Sequence, residues 1–236
     1  MEHVQHIFFD LDHTLWDFDA NSAETLTELF HDLNLKEYID HPLSFIHRYK
    51  KINAKYWDLY NHGKITKEPL RLGRFRDTFQ SFNFTPDEKF IANFADEYLN
   101  RCPLKPHLIE GAREVLEHCV KHYQLHIISN GFIEPTNCKI NSSGIREYFQ
   151  TITSSEEVGV NKPNPKVFSF ALEKAKAQNS ESAMIGDNLK ADVIGALNAG
   201  MTPVLYRNGK VRSNPKYHHV SNLLDLINLF PQNNLI

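Results

Sequence analysis

The chain has 236 residues, a formal net charge of −3 and three cysteines, which allows a large apolar core without disulfide staples. That balance excludes a broad basic field for nucleic acid or anionic lipid, and Cys102, Cys119 and Cys138 match no zinc-ligand spacing and read as reduced thiols. No apolar run reaches the length of a membrane span, and the first strand begins too early to leave room for an export signal. The expectation is a cytoplasmic enzyme that needs no nucleic acid, no membrane and no obligate protein partner.

In chain order, "VQHIFFD" (4–10) opens as a buried strand and ends in "DLDHT". Two aspartates one residue apart, Asp10 and Asp12, repel each other and lose hydration unless a cation or proton sits with them. Residues 16–105 then carry four helical patterns, "NSAETLTELFHDL", "LSFIHRYKKINAKYWDLYNHG", "EPLRLGRFRDTFQSF" and "TPDEKFIANFADEYLN". They read as an inserted helical domain bounded by linkers at 16–19 and 102–107, where Pro103 and Pro106 favour extended backbone.

From about residue 107, helical patterns (110–123, 164–178, 191–200) alternate with short apolar strands (123–131, 183–188, 202–209). Strands of that kind, hydrophobic on both sides, suit a parallel sheet covered on both faces. The fold class is therefore α/β, a Rossmann-like doubly wound parallel sheet. The predicted division is a core of 1–15 with 106–236 and a helical cap of 16–105.

Polar clusters fall at the carboxyl ends of the proposed strands, where open parallel sheets bind ligands. They are Asp10, Asp12 and Thr14; Ser129, Asn130 and Gly131; Lys162; and Asp187 with Asp192. Taken singly, "SNG" is a turn, "KP" a surface loop and "GDN" a junction whose Asp caps a helix. Together they assemble acids, a hydroxyl-amide pair and a cation on one sheet edge.

Asp10, the main-chain carbonyl of Asp12, and Asp187 are hard oxygen ligands suited to Mg2+, with Asp192 placed to hold a metal-bound water or to steady Lys162. Asp10 suits a nucleophile forming an aspartyl-phosphate, and Asp12 a general acid and then base. Ser129, Asn130, Thr14 and Lys162 would hold phosphoryl oxygens, with Asn164 and Pro165 starting a helix just after the lysine.

These motifs, "DLDHT", "SNG", "KP" and "GDNLKAD", resemble in order and spacing those of the haloacid dehalogenase superfamily, and the resemblance covers essentially the whole chain. It implies a subfamily I phosphatase with a helical cap. The stretches "DLDHTLWDF", "RYKKINAKYWDLYNHGKITKEPLRLGRF", "IISNGF" and "GDNLKADVIGALNAG" are further similar to the pyrimidine nucleoside 5'-monophosphatases that clear non-canonical nucleotides. That similarity implies a small phosphomonoester substrate, a nucleoside monophosphate. His13 departs from the pattern, standing where the superfamily usually has Gly and this branch often Asp.

Rival expectations are a phosphatase of sugar or other metabolite phosphates, a sugar phosphomutase, a phosphonate hydrolase, a haloacid dehalogenase and a non-catalytic phosphate-binding module. Asp12 and Asp187 argue against a dehalogenase, and retention of both Asp10 and Asp12 against a dead module. In the helical segment, Arg48, Tyr49, Lys50, Lys51, Tyr56, Trp57, Arg71, Arg74 and Arg76 form the pool for substrate selection, although aromatics at helical spacing usually build a core.

Overall fold

The computed structural model describes residues 1, 3–209 and 214–231. It divides into two compact units, Met1–Phe18 with Pro106–Ile236, and Asp19–Lys105. The first boundary falls after Phe18. Among the described residues, no helix is long and apolar enough to cross a membrane.

The first unit is built on a six-stranded sheet ordered β3-β2-β1-β4-β5-β6, and all its pairings are parallel. The strands are β1 His6–Phe9, β2 Gln124–Ser129, β3 Phe149–Ser154, β4 Ser182–Gly186, β5 Thr202–Tyr206 and β6 His218–Val220. Every residue of β1 and β4 is buried. This is the physical reason their sequences show no polar alternation.

Helices α5 Ala112–Cys119, α6 Ile133–Ser142, α8 Pro165–Ala175 and α9 Gly195–Asn198 belong to this unit, as do the short α7 Ser155–Val158 and α10 Asp225–Leu229. Between β4 and α9 the chain runs through a π-type stretch, Leu189–Ile194. Phe8, Ile128 and Met184 of the central strands pack with Val167, Phe168 and Ala171 of α8 and with Ala196. The register sets Phe9 opposite both Ile127 and Ile185, so the residues following β1, β2 and β4 emerge on one edge.

Two strands, β3 and β6, and three helices, α6, α7 and α10, lie outside the elements recognised in the sequence. β3, with its polar "FQTITS", is an edge strand, and β6 has three residues; neither has the two-sided apolar run that marks a central strand. The edge of β3 is closed by charge: Arg146 donates to the carbonyl of Phe149 at 2.8 Å, and Lys174 to that of Ile152 at 2.7 Å. Such cations block pairing with another chain. Helix α6, which carries Lys139, lies outside the helical patterns recognised in the sequence.

The second unit contains α1 Phe18–Asp32, which begins at the boundary residue, α2 Pro42–Asn61, α3 Lys67–Gln80 and α4 Glu88–Arg101. Its core is aromatic. Phe79 and Phe75 each meet Phe94 with ring centroids 5.1 Å apart, and Phe45 lies 5.2 Å from Phe79. Tyr49 stacks on Phe75 within it. Arg74 is buried too, over the Phe75 ring at 4.9 Å and donating to Asn53 at 3.0 Å. Arg71 is tied to Glu68 and Asp96, Arg76 to Glu88, and Tyr56 to Asp77.

A histidine pair crosses the sheet between β1 and β2. His6 Nδ1 faces His126 Nε2 at 3.1 Å, and His126 Nδ1 faces Thr151 Oγ1 at 2.8 Å. Only one proton fits between the two rings. Burial, with His6 alongside, pushes His126 down to about 4. The unfolded chain protonates this side chain near ~6.5, so its contribution to stability is full above that pH and is lost as pH falls toward the folded value. Relative to His126→Gln, the wild type should lose about 2 kcal/mol of unfolding free energy between about pH 7 and pH 5, measured by urea titration at each pH.

Candidate active site

The turn after β1 rolls up on the carbonyl of Leu11, which accepts from Thr14, Leu15 and Trp16 at 3.3, 2.9 and 2.9 Å. His13 completes it with φ +65°, the left-handed region where the Cβ of an ordinary residue is costly. That conformation gives a physical reason for the glycine usual in the superfamily. Thr14 is fully buried and turned inward, its hydroxyl donating to Asp10 Oδ2 over 3.4 Å.

Lys162 is the hub. Its ammonium donates at 2.7 Å to each of three acceptors, Asp10 Oδ1, Asp192 Oδ1 and the carbonyl of Ile128, which uses all three protons. Burial alone would lower its pKa, but Asp10 and Asp192 outweigh burial and hold it above the ordinary lysine range. Asn130 fixes the loop that delivers the lysine: its Oδ1 accepts from the Lys162 N–H at 2.8 Å and the Ser155 hydroxyl at 2.6 Å, and its amide donates to the Lys162 carbonyl at 3.2 Å. Asn164 caps α8 by accepting from Lys166 N–H at 3.0 Å, with Pro165 as the first helical residue. Ser129 Oγ accepts from Gly131 N–H at 3.0 Å and shapes the turn after β2.

Asp192 steadies Lys162 through Oδ1, while its Oδ2 accepts from the Asn188 N–H at 3.0 Å. Gly186, at the end of β4, makes this approach possible, since a Cβ there would stand 2.3 Å from the Asp192 carboxyl. The cap of the next helical stretch is Asn188, accepting from Lys190 and Ala191 at 3.0 Å. Asp187 is thereby left available to the site.

Carboxylate oxygens of Asp10, Asp187 and Asp192 lie within 4.8 Å of one another, and Lys162 is the ammonium bonded among them. Burial pushes Asp10 well up, against the pull of Lys162, and Asp192 and Asp187 add to the rise. Asp187 is pushed up to about 6 by burial and then by Asp192, with His13 and Lys162 opposing. Three acids crowded around one lysine, with Asp192 already committed, fit a hard divalent cation held by Asp10 and Asp187. The Asp12 carboxylate stands apart from this group: its Oδ1 accepts from Lys139 Nζ at 2.6 Å. Lys139 is buried on the same face of α6 as Thr136 and Ile140, and its pairing with Asp12 is defined only by that fold.

Acids, a hydroxyl and a lysine gathered at the carboxyl ends of parallel strands mark this edge as the ligand crevice of a doubly wound α/β protein. Residues 4–200 match the model of the haloacid dehalogenase-like hydrolases, and the chain belongs to that family. It is 33% identical to pyrimidine 5'-nucleotidase YjjG of Escherichia coli over 83% of this chain and 82% of the relative. It is 29% identical to pyrimidine 5'-nucleotidase PynA of Streptococcus pneumoniae over 92% and 85%. Among solved structures, the YfnB protein of Bacillus subtilis, described as a HAD-hydrolase and bound to magnesium, matches with a TM-score of 0.85 at 26% identity, covering 97% of this chain and 99% of that one.

Lys162→Met should lower the unfolding free energy by about 3–5 kcal/mol, because it leaves buried carboxylates unpaired. Gly186→Ala should cost about 1–3 kcal/mol by forcing Asp192 aside. Urea denaturation of both variants checks the pair.

Proposed function

We propose that this protein is a Mg2+-dependent phosphomonoesterase working through an aspartyl-phosphate, and that its substrates are pyrimidine nucleoside 5'-monophosphates. The observation that carries the reaction is the buried Asp10, pinned at Oδ1 by Lys162 and met at Oδ2, among the described residues, by the long Thr14 contact. The pyrimidine assignment is supported by the names of YjjG and PynA. Asp19–Lys105 acts as the cap in this reading, and Met1–Phe18 with Pro106–Ile236 as the catalytic core.

Asp10 Oδ2, the less committed oxygen, attacks phosphorus in line with the ester oxygen. The P–O ester bond breaks as Asp12 gives its proton to the leaving alkoxide. Asp12 then takes a proton from water, whose oxygen attacks the phosphorus of the aspartyl-phosphate; inorganic phosphate departs and the Asp10 carboxylate is regenerated. Lys162, Ser129, Asn130 and Thr14 hold the phosphoryl oxygens and the loops around them. Mg2+, held by Asp10, Asp187 and the main-chain carbonyl of Asp12, would supply charge neutralisation for the phosphoryl group.

Phosphate release measured with Mg2+ across UMP, dUMP, dTMP, AMP, GMP and a set of sugar phosphates should favour the pyrimidine nucleotides. A flat profile, or a preference for sugar phosphates, overturns that assignment. Chelation should abolish turnover and Mg2+ restore it. Asp10→Asn should remove activity while keeping the fold by circular dichroism, and a fully active Asp10→Asn protein would sink the covalent mechanism.

A further inference from the structure

A proton carrier needs an orientation as well as a proton. Asp12 stands on a turn with its side chain 26% exposed, and nothing on its own element anchors the carboxylate. Its carboxylate stands outside the cluster of Asp10, Asp187 and Asp192, and Lys162 cannot help because its three protons go to Asp10, Asp192 and Ile128.

A second lysine fills that need. Lys139 is only 8% exposed and reaches from the buried face of α6 to place Nζ 2.6 Å from Asp12 Oδ1. The same ammonium lies 4.4 Å from the centre of the Trp16 ring and 5.6 Å from that of Phe18, which limits where it can go. Ion pairs between solvated surface chains hold neither partner in place, but this lysine is enclosed by a helix and two rings. The other oxygen, Asp12 Oδ2, would lie 3.9 Å from a Cβ built on Gly131, on the side of the Ser129–Gly131 turn.

We propose that Lys139 is a positioning residue for Asp12: it clamps Oδ1 so that Oδ2 is the oxygen that meets the leaving group and, later, the water. The inference rests on the phosphatase reading, in which Asp12 is the acid and base. A merely structural pair would tie α6 to the turn without affecting which bonds are broken easily. A positioning pair makes a chemical difference: in the step that forms the aspartyl-phosphate, the loss falls on substrates whose leaving oxygen needs a proton and spares those whose leaving group departs as a stable anion, while the later attack of water is common to both.

The test compares UMP, which expels a sugar alkoxide, with p-nitrophenyl phosphate, which expels a nitrophenolate, using the full chain with Mg2+. Lys139→Met keeps the aliphatic stem over Trp16 and removes the ammonium. The single-turnover rate of UMP cleavage should fall roughly 10- to 100-fold with KM within about twofold, while the first-turnover release of nitrophenolate, read before the aspartyl-phosphate is hydrolysed, stays within about threefold. Lys139→Arg should recover most of the UMP rate, and in an Asp12→Asn background Lys139→Met should cost little more.

Equal losses of the first-turnover rate on both substrates, no loss on UMP, a change confined to KM, or full additivity with Asp12→Asn would each overturn the positioning role. Lys139→Gln repeats the comparison where the Met variant is not stably folded, with thermal unfolding recorded for each. If the wild type cleaves a different alkyl phosphomonoester in place of UMP, the pyrimidine assignment falls and that ester serves in the same comparison. A wild type that cleaves no phosphomonoester overturns the phosphatase reading and this inference with it.

Discussion

The structure of the site depends on one buried ammonium. Lys162 is bonded to two carboxylates and a strand carbonyl, all at 2.7 Å, and none of those acids could remain buried and charged together without it. Breaking a buried ion pair on one side leaves an uncompensated charge that costs several kcal/mol. The surrounding architecture serves to bring that cation to its acids. Asn130 holds the lysine's backbone on both sides of its peptide, Asn164 and Pro165 begin the helix that follows, and Gly186 leaves the space into which Asp192 reaches.

Topology explains why residues so far apart in sequence meet. In a parallel sheet, every strand delivers its successor to the same edge, and the register here aligns the ends of β1, β2 and β4 to within two residues. The first acids, the hydroxyl-amide turn and the last acids therefore share an edge whatever is inserted between them. A helical unit placed between Phe18 and Pro106 leaves the sheet connections intact, because both of its ends return to neighbouring points of one strand-helix crossover. That is why the motifs could be read in order across a long interruption.

Legibility followed burial and chemistry. β1, β2, β4 and β5 show in the sequence because both of their faces are covered; β3 and β6 do not, because an edge strand carries polar residues such as Gln150 and Thr151, and three residues make no periodic pattern. The four helices of the second unit show by their apolar stripe, and the aromatics Tyr49, Phe75 and Phe94 prove to be its core. The residues of the site are visible where a chemical type is unusual for its position, as with paired acids at a strand end. Asn188 as the helix cap, Asn130 as the brace of Lys162 and Lys139 as the partner of Asp12 were not visible, since each is defined by a contact that only the folded chain makes.

The two acids of "DLDHT" illustrate how environment separates roles that sequence leaves alike. An attacking carboxylate must be desolvated, ionised and fixed, whereas a proton carrier must exchange its proton with a leaving group and with water. Asp10 is buried, drawn upward in pKa by that burial, and held against Lys162 within the acidic group. Asp12, two residues on, is more exposed and is turned out of that group by a separate lysine from another helix. In the proposed reaction, giving each acid its own cation would let one turn carry both functions, because Asp12 is bonded to Lys139 and Asp10 to Lys162.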